Sequence, residues 1–319
     1  MKSTKYTSHQ PDEHGHIPYS AEENLIWHDL IKRQIPLLHG RACFPWIEAM
    51  HEMNFPMDRV PQLPEISEVL QKHTGWSVAP VPALIGFTEF FDLLANKQFP
   101  VATFIRTRED FDYIQEPDIF HEVFGHTPPL TDHRFAAFVE AYGKAGLAAD
   151  PRDHFMLARL FWFTVEFGLV NTDEGIRAYG SGIMSSPSEL RYAVESEDPE
   201  RKPFDPVEAL RTPYRIERFA LGHVAFHGVF QFARRGHDAG AVGADALVGV
   251  HQAKLHRKPE QPRQHEVIAV VGREPRPAVR FAEGGEAVIG QRRRMAEHLV
   301  EDIGLLDVVE VLACADEGG

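Results

Sequence analysis

Cysteine is scarce in this 319-residue chain, which contains only Cys43 and Cys314. The two residues lie far apart and form no CxxC pair, which argues against a disulfide framework and against a structural zinc knuckle. No apolar run approaches the roughly 18 residues that a membrane-spanning helix needs. The first residues also lack the apolar core of a secretory signal, so we expect a cytoplasmic protein with no membrane partner.

A basic excess and a phosphate-binding loop are also missing. The formal net charge is −14, whereas nucleic-acid-binding proteins usually carry a basic face, so we expect no nucleic-acid partner. Neither GxGxxG nor GxxxxGK occurs, so the common dinucleotide-binding and P-loop fingerprints are absent. With 43% hydrophobic and 25% charged residues, the composition is typical of a globular protein with a substantial core.

Aromatic residues almost disappear towards the end of the chain, where Phe281 is the only one after Phe232. A segment with so few aromatic residues has little bulk with which to build a second core. We therefore expect a flexible N-terminal arm over residues 1–20, a main domain over 21–235 and an atypical C-terminal tail of uncertain order over 236–319. One hypothesis is that a shifted reading frame produced the tail, which resequencing of the gene would test.

Helical patterns dominate the chain before the tail. A capping-box-like run at Ser20 precedes apolar residues with a 3.6-residue period, which predicts a helix. Prolines within residues 45–64 predict a shorter helix with turns. Prolines within residues 75–82 predict an extended segment. Further helices are predicted over residues 87–97, 136–148 and 155–169, and a short strand over 101–106. The predicted fold is mainly α with a few short strands (α+β).

The run EPDIFHEVFGHTPP, residues 116–129, carries the strongest chemical signal. Within it His121 and His126 lie five residues apart, and Glu122 follows the first histidine. Zinc peptidases use H-E-x-x-H, in which the histidines are four apart on one helix face. Residues five apart in a regular α-helix point about 140° away from each other. The pattern therefore fits a zinc peptidase poorly and requires a short irregular segment, which the bracketing prolines favour.

A carboxylate that could join the two histidines lies in the run FWFTVEFGL, residues 161–169. This run is apolar nearly all round, which predicts a core helix with Glu166 in its middle. A buried carboxylate is costly unless it is paired or bound to a metal. Without a metal, Glu166 could instead be hydrogen-bonded to an Arg or Tyr, and the histidines could be core residues with ordinary hydrogen-bond partners. Two imidazoles and one carboxylate form the facial triad of non-haem Fe(II) enzymes. The presence of His121, His126 and Glu166 together therefore favours an iron site.

Three runs in order, EPDIFHEVFGH, FWFTVEFGLV and AYGSGIMSS, resemble the aromatic amino acid hydroxylases, most closely the single-domain bacterial phenylalanine 4-hydroxylases. The resemblance covers about residue 20 to about residue 219. It implies the catalytic-domain architecture of that family and makes residues 21–235 an iron- and pterin-dependent catalytic domain. It also implies that Fe(II) is bound by His121, His126 and Glu166.

The resemblance further implies a second cofactor and a substrate pocket. The cofactor is tetrahydrobiopterin or a similar reduced pterin, and the matching positions are Leu84, Ile85, Phe90 and Glu122. The substrates are L-phenylalanine and O2, and the matching substrate-binding positions are Arg106, Tyr113, Asp118, Trp162 and Ser185, where Asp118 would orient Arg106. Glu122 and Trp162 are also candidate catalytic residues. Plain core positions remain the alternative for Leu84 and Phe90, and a surface charge remains the alternative for Arg106.

The implied activity is the hydroxylation of L-phenylalanine to L-tyrosine. Ile216 matches a position that is acidic in tyrosine hydroxylases, and an apolar residue there leaves no partner for a phenol hydroxyl. Four alternatives stay open: a tryptophan or tyrosine hydroxylase of the same family, a relative weakened by its divergent C-terminus, a zinc hydrolase, and a non-catalytic binding protein. Ser181 stands where the family usually has Ala, and Ile114-Gln115 replace a common Thr-Pro pair, so fine specificity can differ. We expect a monomer.

Overall fold

The structure, a computed structural model, describes residues 5–112, 114, 116–199, 201–212 and 226–227. Tyr113, Ile216 and the predicted tail over 236–319 lie outside these residues. The helices are α1 (Ala21–Leu38), α2 (Phe44–Met53), α3 (Leu63–His73), α4 (Phe87–Ala95), α5 (His133–Ala148), α6 (His154–Phe161), α7 (Ser181–Met184), α8 (Pro187–Glu195) and α9 (Pro206–Arg211). The strands are β1 (Ser77–Val81), β2 (Gln98–Ala102), β3 (Leu169–Thr172), β4 (Gly175–Ala178), β5 (Lys202–Pro203) and β6 (Phe226–His227).

Two π-helical segments interrupt this pattern, and we call them the first π-helix (Phe120–His126) and the second π-helix (Trp162–Glu166). Short 3-10 turns follow at Pro128–Thr131 and Pro151–Asp153. The predicted mainly α fold with a few short strands is confirmed. No helix in the described part of the chain is long and apolar enough to cross a membrane.

Helix α1 begins where its capping signal predicts. The Ser20 hydroxyl accepts a hydrogen bond from the Glu23 backbone N–H, and the Glu23 carboxylate accepts one from the Ser20 N–H. These two bonds satisfy N–H groups that the first helical turn would otherwise leave unpaired. The buried face of the helix includes Ile26, Trp27 and Leu30, which anchors it to the core.

The strand predicted over residues 101–106 begins three residues earlier, at Gln98, and ends at Ala102. Strand β2 pairs in parallel with β1, with Ser77 opposite Gln98 and Val81 opposite Ala102. The ladder ends there because the Thr103 N–H donates to the Ser8 hydroxyl instead of to a strand. The remaining strands form a four-stranded sheet in the order β4-β3-β6-β5.

The helix predicted over residues 155–169 is shorter and changes its hydrogen bonding. Helix α6 ends at Phe161, and the second π-helix carries the chain to Glu166, where the Phe167 N–H bonds to the Trp162 carbonyl at 3.0 Å. The chain then turns at Gly168, where an added Cβ would lie 2.0 Å from the Tyr179 ring. A larger residue would therefore not fit at Gly168, and Leu169 begins β3.

The described part of the predicted N-terminal arm lies along the body of the protein. Tyr6 stacks on Phe104 with ring centroids 4.7 Å apart, and Ile17 is buried. The Ser8 hydroxyl donates to the Val81 carbonyl, and the Tyr19 hydroxyl donates to the Thr103 carbonyl. Residues 5–19 therefore contact the chain between β1 and the first π-helix, while the predicted flexibility of the arm stays a prediction.

Aromatic packing fixes one face of the first π-helix in the core. Phe120 and Phe124 stack on each other at 4.8 Å, Trp27 meets Phe120 edge-on at 5.4 Å, and Trp46 lies 5.6 Å from Phe124. All four side chains are buried. Because this face is held by large rings, the opposite face, which carries the histidines, has a defined orientation.

Candidate metal centre and substrate cavity

The first π-helix resolves the unusual spacing of the two histidines. A π-helix bonds residues five apart rather than four, so side chains at that spacing lie on the same side of the helix. The His121 and His126 ring centroids are accordingly 5.0 Å apart, and their Nε2 atoms are separated by 3.2 Å. The two imidazoles therefore converge on one point, which a regular α-helix would prevent.

The second π-helix brings the carboxylate to the same point. Glu166 Oε1 lies 3.1 Å from His126 Nε2, and Glu166 Oε2 lies 3.6 Å from His121 Nε2. One ligand atom from each of the three residues can be chosen so that all three lie within 4.8 Å of one another. Three ligand atoms bound at about 2.1 Å and at right angles would be about 3.0 Å apart. The observed separations therefore fit three neighbouring positions of one metal ion.

The protonation of the three side chains also suits a metal. Burial lowers the pKa of His121 to about 4, although Glu166 opposes this shift, so the ring is neutral near pH 7. Burial raises the pKa of Glu166, but His126, His121 and the backbone of Gly182 outweigh it, so the net shift is downward. Glu166 Oε2 is buried and has no hydrogen-bond partner among the described residues. Such an orphaned buried oxygen requires an explanation, and a bound cation provides one.

The outer nitrogens of both rings contact serines of one short helix. His126 Nδ1 lies 2.9 Å from Ser181 Oγ, and His121 Nδ1 lies 2.9 Å from Ser185 Oγ. Ser181 begins α7, and Ser185 follows its last residue. The His126 ring also stacks on Phe99, with centroids 4.6 Å apart. The orientation of each imidazole is therefore fixed on the side away from the converging Nε2 atoms.

A cavity of about 360 Å³ opens beside the three candidate ligands. Its lining includes most of the positions predicted for the pterin and the substrate, namely Leu84, Ile85, Phe90, Arg106, Glu122, Trp162 and Ser185. Phe99 of β2 and Phe161 of α6 also line the cavity, and their rings stack on His126 with centroid distances of 4.6 and 6.1 Å. The cavity thus joins a candidate metal centre to a largely apolar chamber that can hold a planar ligand.

Arg106 and Asp118 form a buried ion pair at the wall of this cavity. The Arg106 Nε and Nη2 atoms each lie 2.8 Å from one Asp118 oxygen, and the Arg106 backbone N–H also donates to that carboxylate. The Asp118 carboxylate binds the Nε–Nη2 edge of the guanidinium. The edge formed by Nη1 and Nη2 is left for a second carboxylate. Asp118 is fully buried and is not part of the cavity lining.

Glu122 and Trp162 also line the cavity. Glu122 Oε2 lies 3.9 Å from His126 Nε2, and burial, with Glu166 and Asp118 nearby, raises the pKa of Glu122 well above its ordinary value. Trp162 is buried and packs against Phe167, with ring centroids 4.7 Å apart. Glu122 therefore offers a carboxyl group whose protonated form is favoured by its surroundings, and Trp162 offers a flat apolar wall.

The opposite end of the cavity is more open. Leu84 is 64% exposed, and Ile85 and Phe90 are partly buried. Phe90 forms a T-shaped contact with the Phe161 ring at 5.3 Å and lines the cavity, so a ligand in the cavity can contact it. These three residues lie at the start of α4 or just before it.

A family profile described as biopterin-dependent aromatic amino acid hydroxylase matches residues 2–228. The chain belongs to this family. It is 54% identical over 217 residues to a phenylalanine-4-hydroxylase of Pseudomonas aeruginosa, which covers 68% of this chain and 82% of the relative. The apo structure of the cold-active phenylalanine hydroxylase of Colwellia psychrerythraea is 57% identical, with a TM-score of 0.66, and the match covers 67% of this chain and 82% of that one.

A second solved structure concerns the metal directly. The Chromobacterium violaceum phenylalanine hydroxylase with bound oxidised Fe(III) is 44% identical, with a TM-score of 0.62, over 66% of this chain and 79% of that one. The predicted family, its catalytic-domain architecture and its dependence on biopterin are confirmed by the family match. The predicted iron agrees with the metal-bound relative and with the His121, His126 and Glu166 group.

The structure brings the predicted hydroxylase site residues together around one cavity, with two exceptions. Asp118 lies behind Arg106, and Tyr113 lies outside the described residues. The residues that sequence reasoning did not place in the site include Phe99 and Ser181, which contact His126, and Glu189, which lines the cavity. Ser181 had a visible signal as a departure from the usual Ala, whereas nothing in the sequence marked Phe99 or Glu189.

Proposed function

We propose that this chain hydroxylates L-phenylalanine to L-tyrosine, using O2, Fe(II) and tetrahydrobiopterin or a similar reduced pterin. The observation that carries the proposal is the convergence of His121, His126 and Glu166 at the buried end of a largely apolar cavity. Two imidazoles and one carboxylate on one face of a metal leave its other positions for exogenous ligands. Biopterin-dependent hydroxylase relatives that carry the name phenylalanine-4-hydroxylase at 54–55% identity support the substrate.

Iron and the pterin would supply the oxygen chemistry, and the protein would bind and orient the reactants. His121, His126 and Glu166 would hold the metal at a fixed place in the cavity. Phe161 and Trp162 line the same cavity and would exclude water from the reacting ring. Water exclusion protects a reactive oxidant from side reactions, which gives these apolar walls a chemical purpose.

Arg106 would hold the carboxylate of the amino acid. Its guanidinium is buried, lines the cavity and is fixed along one edge by Asp118. A planar guanidinium with a second edge available suits two-point binding of a carboxylate. Ser185 lines the cavity next to His121 and is the second candidate for this contact, although its hydroxyl already donates to the Ser181 carbonyl at 2.8 Å.

The pterin would lie at the open end of the cavity. Phe90 offers a ring face for stacking, and Leu84 and Ile85 offer apolar and backbone contacts beside it. Glu122 lines the same cavity beside His126, and its raised pKa favours a carboxyl group that can donate a hydrogen bond to the pterin. Trp162 would form the wall against the substrate ring.

The decisive experiment combines metal analysis with product analysis. Purified protein would be loaded anaerobically with Fe(II) or Zn(II) and supplied with a reduced pterin, O2 and phenylalanine, tyrosine or tryptophan in turn. We expect one iron per chain and iron- and pterin-dependent formation of tyrosine from phenylalanine. Activity with zinc, or faster hydroxylation of tyrosine or tryptophan, would contradict the proposal and would favour a hydrolase or another member of the family.

We further propose that residues 21–235 form the catalytic domain of a cytoplasmic monomer. All site residues named above lie between residues 84 and 189, and the proposed substrates are small metabolites. Light scattering of the full chain would test the monomer, and cell fractionation would test the location. A stable tetramer or a membrane-bound pool would contradict these two points without affecting the proposed reaction.

A further inference from the structure

Ser181 is the buried neighbour of His126 on the side away from the candidate metal. Its side chain is fully buried, and its hydroxyl oxygen lies 2.9 Å from His126 Nδ1 and 3.2 Å from the Val165 carbonyl oxygen. Val165 immediately precedes Glu166 in the second π-helix. One hydroxyl therefore contacts a ligand ring of the first π-helix and the backbone that carries the third ligand.

The Ser181 hydroxyl can donate its hydrogen either to His126 Nδ1 or to the Val165 carbonyl. A serine hydroxyl has one hydrogen and can also accept, a carbonyl can only accept, and a neutral imidazole carries its hydrogen on one nitrogen. When His126 Nε2 binds a metal, Nδ1 must carry the hydrogen and needs an acceptor. Ser181 can provide it because its own hydrogen can turn to the Val165 carbonyl.

The backbone around Ser181 is arranged for this contact. Gly125, the residue before His126, approaches α7 so closely that an added Cβ would lie 2.9 Å from the Ser181 carbonyl oxygen and 3.1 Å from its Cβ. The Ser185 hydroxyl repeats the pattern at His121, because it contacts His121 Nδ1 at 2.9 Å and donates to the Ser181 carbonyl at 2.8 Å. Each ligand ring thus faces a hydroxyl whose hydrogen has a backbone acceptor.

We propose that Ser181 is a positioning residue that accepts the His126 Nδ1 hydrogen and so presents the Nε2 lone pair of His126 to the metal. Partners of this kind fix the tautomer and the orientation of a ligand histidine, and their loss typically weakens metal binding by about 10–100-fold. Without the hydroxyl, the buried Nδ1–H of the metal-bound ring would lose its hydrogen-bond acceptor. The inference rests on the metal site of the proposed function.

The test measures the binding of Co(II) and Fe(II) to the full chain by anaerobic titration. We expect Ser181→Ala to weaken binding by about 10–100-fold, while the metal-free variant keeps a melting temperature close to that of the wild type. Ser181→Cys fills similar space but hydrogen-bonds weakly, so we expect it to behave like Ser181→Ala. Ser188→Ala, at an exposed serine of α8, is the matched control and should bind like the wild type.

The outcomes separate this inference from the proposed function. If the wild type binds no metal, both are wrong. If it binds metal and Ser181→Ala or Ser181→Cys binds within about twofold of it, only the role of Ser181 is wrong. Should both variants fail to fold, the imidazole ¹H–¹⁵N spectrum of the Zn(II)-loaded wild type decides, because the proposal requires a protected Nδ1–H on His126 and a rapidly exchanging one would overturn it.

Discussion

The metal end and the open end of the cavity are built in different ways. At the metal end His126 is 2% exposed, its ring is stacked on Phe99, and its outer nitrogen contacts Ser181. At the open end Leu84 is 64% exposed. Side chains held by several partners define a geometry within narrow limits, whereas exposed ones contribute area and little orientation. Under the proposed function, we therefore expect the metal end to determine whether the reaction occurs and the open end to adjust which ligand binds and how tightly.

The largest effect should follow from removal of a ligand at the metal end. Glu166→Ala is expected to weaken metal binding by more than about 100-fold, since even the hydrogen-bond partners of ligands are worth about 10–100-fold, and to abolish turnover. Metal content and pterin-dependent tyrosine formation would be measured together. Asp112→Ala changes an exposed carboxylate that lines the same cavity and should retain both. Retained iron and activity in Glu166→Ala would remove the ligand assignment.

The next effect concerns the ion pair behind the substrate cavity. Asp118→Ala should lower the free energy of unfolding by about 3–5 kcal/mol, because it leaves the buried Arg106 guanidinium without a counter-charge. Denaturant unfolding of the metal-free protein would measure this loss. The Asp112→Ala protein again provides the control, because its carboxylate is exposed and pairs with Arg33 at the surface. Equal stability of the two variants would show that the buried pair is not structurally important.

A smaller effect is expected at the open end. Phe90→Ala should raise the KM for the reduced pterin by roughly two- to tenfold, because aromatic stacking is worth about 0.5–1.5 kcal/mol beyond the area buried. Leu84→Ala, at an exposed position, should change this KM less. Steady-state kinetics with varied pterin would compare them. An unchanged pterin KM in Phe90→Ala, or a larger change in Leu84→Ala, would contradict the assignment of the stacking ring.

The smallest expected effect is a pH dependence at Glu122. The pKa of Glu122 is raised in the folded protein. As the pH rises, Glu122 therefore ionises in the unfolded chain before it does so in the folded protein. This difference lowers the free energy of unfolding above about pH 4.5. Glu122→Gln cannot ionise. The metal-free variant should therefore melt at a higher temperature than the wild type at pH 8, and the difference should vanish near pH 4. A constant difference between these pH values would show that Glu122 is not the group responsible.

The sequence predicted His121, His126 and Glu166 as candidate ligands, and the structure places the three side chains together, but the sequence left their geometry open. Spacing alone argued that His121 and His126 could not share one face of an α-helix, and it suggested only an irregular segment. The π-helix carries Phe120 and Phe124, which pack on Trp27 and Trp46 from distant parts of the chain. Its hydrogen bonding has no separate signature in residue type. The same reason explains the second π-helix, where apolar periodicity predicted a continuous helix to Leu169.

The sequence patterns also did not predict which distant segments contact each other at the site. Ser181 was visible as a departure from the usual Ala, and its expected consequence was for specificity. Its contact with His126 exists because α7 packs against both π-helices, and nothing in the local sequence encodes that arrangement. The predicted strand began after Phe99, whereas Phe99 lies within β2. Pairing with β1 determines where this strand begins. Local patterns thus predicted elements and candidate residues, while tertiary packing determined the partners.

The most direct test of the account is the position of the metal. A crystal of the Fe(II)-loaded full chain would be measured at the iron absorption edge, and the anomalous difference map would locate the ion. We predict one peak at about 2.0–2.2 Å, the usual length of metal–imidazole and metal–carboxylate bonds, from His121 Nε2, His126 Nε2 and a Glu166 oxygen. A peak elsewhere, or one that contacts only one of these three side chains, would contradict the central claim.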